Sequence, residues 1–328
     1  MVETESMESQ EYLHKFGYRP YVGEKTKRIN RIGSLIWFEV TSTWKKSVVG
    51  RIILLLVIFS SLMGIIFTAT ISSSLPIQPT EAQKIDSMHS LVASYLIFTN
   101  FPVRAGVDEP FNFGFSLSIL IIALFGIAGG GLFADDKQGN VVEVYMSKLR
   151  RIEYIEGKIG AIVLYSNLFI SGPLLVETYF AIQSYQLNQL KFIGLYAGII
   201  LYGFIVSLIV GLAILSLSIV MKRNYASLSF FLIYLLGSVF GRRIYFLTGN
   251  EFLLLVSPEF LFGLLAYVCV GDFNLAIRTM RGGDLQPFFL NDGVGLEYWH
   301  VLLVAFCYIA ILGSFVFYKV KKLTTEDL

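Results

Sequence analysis

The sequence predicts an all-α polytopic membrane protein: six transmembrane helices, an interfacial helix before the first, and a re-entrant outer-leaflet helical hairpin between the last two. Three observations carry that prediction. Of 328 residues, 55% are hydrophobic and only 15% charged, where a soluble domain has about a quarter charged, and the mean hydropathy is +0.66. Apolar runs recur that are long enough for a bilayer core of ~30 Å, which takes about 20 helical residues. Lysine and arginine are shared very unevenly between the segments that join those runs.

Taken in order, residues 1–28 form a polar N-terminal segment. Over residues 29–50, Ile29, Ile32, Ile36, Val40, Trp44 and Val48 recur at spacings of three and four, with Arg31, Glu39, Lys45 and Lys46 on other faces. That period predicts an amphipathic helix lying along the membrane interface. The first apolar run begins only at Ile52, so it is expected to act as an uncleaved anchor rather than a secretory signal.

The predicted spans are Ile52–Ile71, Gly114–Ala134, Ile159–Phe180, Phe192–Met221, Asn224–Gly241 and Tyr298–Tyr318, making a transmembrane domain over residues 52–318. Only the third carries a formal charge, Glu177, near its far end. The fourth exceeds the length a bilayer requires and is expected to tilt or project. Lys222 and Arg223 alone separate it from the fifth, which implies a tight turn. An external loop over 72–112 contains Pro76, Pro79, Pro102 and Pro110 and is expected to be irregular in part.

Basic residues decide the orientation. One side receives those of the N-terminal segment, then Lys137, Lys148, Arg150, Arg151, Lys158, Lys222, Arg223, Lys319, Lys321 and Lys322. The other receives Lys84, Arg104, Lys191, Arg278 and Arg281, with Arg242 and Arg243 at a span edge. Both termini, including the tail 319–328, are therefore expected to be cytoplasmic in a multi-pass protein of the cell membrane. Within the region 247–297, Phe252–Val270 is long enough to cross but is interrupted by Ser257, Pro258 and Glu259. A seventh crossing would place Lys319, Lys321 and Lys322 outside, so a broken, re-entrant pair of helices is expected instead.

Several chemistries lack their signatures. No GxxxxGK[ST] phosphate loop, HExxH or GxSxG motif is present, so the chain is expected to be non-catalytic, with no cofactor or metal of its own. Cys269 and Cys307 sit in apolar runs, and two cysteines make neither a disulfide framework nor a zinc site. A net charge of +2 with no basic block interleaved with aromatics argues against nucleic acid. Apart from Glu177 the spans hold no carboxylate of the kind an ion-coupled carrier uses. Energy for any uphill movement is then expected from another polypeptide.

The polar island between the second and third spans, FADDKQGNVVEVYMSKLRRIEYIEGK from Phe133 to Lys158, is the most informative segment. Val142, Tyr145, Met146 and Leu149 fall at i, i+3, i+4 and i+7, and Ile152, Ile155 and Ile159 continue the stripe, which predicts an amphipathic helix at the bilayer surface. An ordinary interfacial loop helix would show the same pattern. The residue order is more specific: Asp136-Lys137, Gly139, Glu143, the apolar pair Val144-Tyr145, Ser147 and the closing Gly157-Lys158. This order resembles the first cytoplasmic loop of ABC-2 type transporter permeases. Asn140-Val141 stands where that family usually has threonine, and Leu149 where proline is common, which blurs the helix boundary. The layout of an interfacial helix, six spans and a broken hairpin is similar too, and LVSPEF at Leu255–Phe260 resembles the family's Ser-Pro turn.

The resemblance implies a permease subunit, mostly of exporters, whose coupling-helix loop over 135–158 docks on a separate ATP-binding-cassette subunit holding ATP and Mg. It also implies pairing with a second permease copy or paralogue. Asp136, Lys137, Gly139, Glu143, Tyr145, Ser147, Arg150 and Lys158 are the coupling candidates. The family's route runs between two halves along the second and fifth spans, which makes Phe115, Phe125, Phe231 and Tyr234 lining candidates, or simply packing or lipid contacts.

Gly126–Gly130, Gly194–Gly198 and Gly237–Gly241 each form GxxxG, which lets helices approach closely within a subunit or between two. Gly129, Gly130 and Gly131 precede the island and are expected to permit bending there. Glu177, Arg242 and Arg243 either neutralise one another, meet lipid phosphates, or form an outer gate for an anionic cargo. Two other classes remain: an ATP-independent carrier or channel, and a structural subunit of an envelope-assembly complex.

Overall fold

A computed structural model describes residues 27–46, 117–139, 149–248, 251–270 and 298–326, together with single positions at 48, 51, 52, 55, 58, 59, 62, 66, 85, 142 and 145. Every element among them is helical: α1 (Arg28–Lys46), α2 (Leu117–Gly129), α3 (Ala134–Gln138), α4 (Arg151–Ser184), α5 (Ile193–Val220), α6 (Arg223–Thr248), α7 (Pro258–Val270) and α8 (Tyr298–Glu326). Short 3₁₀ turns at Gln189–Phe192 and Glu251–Val256 precede α5 and α7. Three helical stretches, Arg151–Ser184, Gln189–Val220 and Trp299–Lys322, are long and apolar enough to cross a membrane. In the first predicted span, Ile52, Leu55, Ile58, Phe59, Leu62 and Ile66 are helical with exposed side chains.

α5 is the central helix, and α2, α4, α6, α7 and α8 all pack on it. Ile199, Tyr202, Ile214 and Leu215 are completely enclosed there, against Ile162, Ile170 and Leu174 of α4 and Leu265 and Ala266 of α7. α4 at 34 residues rises ~51 Å at 1.5 Å per residue, well beyond a bilayer core, so part of it stands clear of the apolar layer. Its far end closes in a left-handed turn at Gln186 (φ 57°). There the Leu187 N–H bonds the Ile182 carbonyl at 3.1 Å and the Gln186 N–H bonds the Gln183 carbonyl at 3.0 Å, satisfying two terminal acceptors. The Asn188 side chain then accepts the Leu190 N–H at 3.0 Å and starts the turn into α5.

The predicted tight turn between the fourth and fifth spans is present. Met221 ends α5 in extended conformation and α6 begins at Arg223. The break in Phe252–Val270 is present too, at Ser257, between a 3₁₀ turn and α7. Four spans differ from expectation. The third, predicted over Ile159–Phe180, is part of the longer α4 (Arg151–Ser184). The second span, predicted to run to Ala134, stops as helix at Gly129, and Gly130–Phe133 form a turn, because consecutive glycines carry the lowest helix propensity short of proline. The fifth runs on to Thr248. The last continues to Glu326 through the supposed tail, where Val320 is buried and the lysines are good helix formers. Residues of the external loop 72–112, Ile85 apart, lie outside the described residues, as do 271–297.

Candidate functional site

The site forms where the chain turns out of α2, passes through α3 and enters α4. Gly130 and Gly131 are enclosed at the turn. A Cβ on Gly130 would collide with the Ser227 hydroxyl, and one on Gly131 would lie 2.9 Å from Asp135 Oδ2. Ser227 Oγ is itself 2.8 Å from the Gly126 carbonyl, tying α6 to the end of α2. A Cβ on Gly126 would meet Phe230 at 3.3 Å, and one on Gly129 would meet Ile214 at 2.6 Å. A side chain at Gly129, Gly130 or Gly131 would force a neighbour to shift, and one at Gly126 would fit only tightly.

From that turn α3 presents two neighbouring carboxylates in different directions. Asp135 accepts from Arg223 at 3.2 Å. Asp136 Oδ2 accepts from Lys158 Nζ at 2.6 Å and from the Tyr154 hydroxyl at 2.8 Å. The same ammonium donates to Glu39 Oε1 of α1 at 2.7 Å. Lys158 is 0% exposed, so three segments remote in sequence are joined at one fully enclosed cation. The rings of Tyr154 and Tyr145 lie 5.4 and 5.7 Å from Nζ, within range for a cation–π contribution. Phe133 packs edge-on to Tyr154 at 5.6 Å and closes one side. Burial first, then the negative field of Glu39 and Asp136, pushes the Tyr145 phenol up to about 12, so it stays neutral.

α1 lies on the base of α4 because α4 is stripped of side chains there. A Cβ on Gly157 would collide with Leu35, and one on Gly160 would stand 2.6 Å from Ile36. Two further ion pairs flank the contact, Arg31–Glu153 at 2.8 Å and Arg28–Glu156 at 2.7 Å. Glu153 is almost fully buried and does two jobs: Oε1 holds Arg31 while Oε2 accepts the Arg150 N–H at 3.1 Å at the start of α4.

The coupling candidates divide accordingly. Asp136 and Lys158 face each other in the interior, and Tyr145 lies half-buried over Lys158. Lys137, Gly139 and Arg150 form an exposed rim around them. Glu143 and Ser147 lie outside the described residues. The expected single stripe breaks at Arg150, whose extended backbone (φ −69°, ψ 149°) separates Tyr145 and Leu149 from Ile152, Ile155 and Ile159 on α4.

Of the lining candidates, Phe125 is fully buried and Tyr234 nearly so, stacked on Phe262 at 6.4 Å. Phe231 is partly exposed and Phe115 lies outside the described residues. Glu177 is buried on α4, and the side chains of Arg242 and Arg243 on α6 are outside the description. α4 packs mainly on α1 and α5, and α6 on α2, α5 and α7, so that acid and those bases belong to helices with little mutual contact. Among the described residues no group of three or more His, Cys, Asp or Glu side chains is placed to hold a metal ion.

Sequence reasoning missed Glu39, which the amphipathic pattern assigns to water, and with it Arg28, Arg31, Glu153, Tyr154, Glu156 and Gly160. A signal was present: Arg28 and Arg31 repeat at the same three-residue spacing as Glu153 and Glu156, and Gly157 and Gly160 lie beside the acids. No protein-family model matches the sequence, and no curated protein matches it.

Proposed function

We propose that this chain is the permease subunit of an ABC-2 type transporter, an exporter driven by a separate ATP-binding-cassette ATPase, with a second permease copy or paralogue completing the pathway. In this reading six helices span the membrane, the segment broken at Ser257 re-enters the outer leaflet, and both termini are cytoplasmic. ATP and Mg belong to the partner subunit. The observation that carries the reading is the residue order from Asp136-Lys137 through Glu143 and Ser147 to Gly157-Lys158. The fold lends it support, since the two ends of that motif are bonded to each other at the base of a long helix on the central α5. A soluble motor pushing on the exposed rim of Lys137, Gly139 and Arg150 would then act directly on α4, with rigid packing carrying the displacement onward.

The test is co-expression with a candidate ATP-binding-cassette subunit from the same genome. The two should purify as a complex, and joint replacement of Glu143, Tyr145 and Arg150 by alanine should release the ATPase while the chain keeps its helical circular-dichroism signal. A chain that never retains an ATPase favours the carrier or scaffold readings and ends this one. The topology has its own check. Cysteine at Leu247, 85% exposed beyond the fifth span, should react with an impermeant reagent from outside, and cysteine at Lys137 only from inside.

A further inference from the structure

Resting on the coupling reading above, we infer that Lys158 makes the interfacial helix α1 part of the moving coupling element, so that α1, α3 and the base of α4 shift as one body when the partner ATPase closes. The coupling loop that the residue order implies ends at Lys158. The geometry extends it to a helix more than a hundred residues away.

Three features carry this. Lys158 links all three segments, bonded at 2.7 Å to Glu39 and at 2.6 Å to Asp136. Its complete burial keeps water from competing for either arm, so both pairs are held tightly. The α1–α4 contact is also without clearance, since Leu35 and Ile36 fill the space at Gly157 and Gly160 and two more ion pairs fix the register. α1 meanwhile has no comparable packing on α5, α6 or α8 among the described residues. Among the described residues α4 is thus the element that holds α1, and the two are expected to move together. Its outward face, with Ile29 and Trp37 strongly exposed, suits the membrane interface. The movement would therefore be delivered to the lipid surface as well as to the spans. Lys158 is here a positioning residue, touching neither cargo nor nucleotide.

The experiment uses pairs of spin labels on exposed sites, Ser34 on α1, Arg151 at the base of α4 and Lys222 between α5 and α6, read by pulsed dipolar spectroscopy. In the complex with the ATPase, trapping with ATP and vanadate should leave the Ser34–Arg151 distance unchanged and shift both Ser34–Lys222 and Arg151–Lys222. In Glu39→Gln, which removes one arm and keeps a similar shape, the Ser34–Lys222 shift should fall at least twofold while the Arg151–Lys222 shift persists. A merely stabilising role would not separate those two readouts. In the chain alone, without any ATPase, Lys158→Met should at least double the width of the Ser34–Arg151 distribution. Two results overturn the inference: a Ser34–Arg151 distance that changes on trapping in the native complex, or Ser34–Arg151 distributions as narrow in both variants as in the native chain. Absence of an ATPase partner instead defeats the proposed function and leaves the width measurement standing.

Discussion

Two of the glycine-lined helix contacts in this molecule are made of opposite materials. Where α1 crosses α4, Gly157 and Gly160 admit Leu35 and Ile36, and the contact is then fixed by three ion pairs across it, one of them fully buried. Where α5 meets α7, Gly198 lies against the Cys269 carbonyl and the Val270 backbone, with Tyr202 and Ala266 enclosed nearby. No charge takes part there among the described residues. In lipid, apolar surfaces gain little from meeting each other, so such a contact depends on how closely two backbones approach. At the interface, charges supply direction and register, and a single side chain can carry the joint. The first contact should therefore fail by loss of a charge and the second by gain of volume.

The largest effect is expected at Lys158. Lys158→Met removes the cation shared by the largely buried carboxylates of Glu39 and Asp136 and should cost about 3–5 kcal/mol of unfolding free energy, read by denaturation in detergent. Adding Glu39→Leu and Asp136→Leu should recover most of that loss, because apolar replacement of a whole buried ion cluster is often neutral. If the single variant is as stable as the native chain, the charged half of the comparison is broken.

Next comes volume. Gly198→Val must push α7 away from α5 and should cost about 1–3 kcal/mol, whereas Gly194→Ala, one turn earlier in the same motif with nothing near it, should stay within ~0.5 kcal/mol. Equal effects at the two glycines, measured by the same unfolding assay, would show that the motif acts through some contact other than α7.

Smaller still is Arg31→Ala, which takes the charged partner from buried Glu153 but leaves its backbone hydrogen bond, at about 1–2 kcal/mol. Arg28→Ala should be the smallest, with no resolvable change in the melting temperature in 0.5 M salt, since both partners are exposed and screened. A clear effect there would mean that exposure does not rank these pairs.

The same contrast explains what was legible in the sequence. The bounds of α5, the turn at Lys222–Arg223 and the break at Ser257 all arise from local chemistry, long apolar runs and proline, so they could be read from neighbouring residues. The end of α2 was misplaced because apolar composition says nothing of how three glycines will turn. Asp136 and Lys158 stand among the eight coupling candidates of the island, but the sequence does not say that they bond to each other. Glu39 was unreadable in a different way. An amphipathic pattern sends every charge to water, and only a cation 119 residues further on, on another helix, brings this one inside. A single pairing of that separation leaves no periodic trace, unlike the matched three-residue spacing of Arg28 and Arg31 with Glu153 and Glu156.

The double duty of Glu153 has one more outcome. Its carboxylate closes the first turn of α4 with one oxygen and holds Arg31 of α1 with the other, so loosening of the two helices is coupled at that point. Backbone amides in the opening turn of α4 should consequently exchange with deuterium at the rate set by lift-off of α1, and one slow breathing event would expose both.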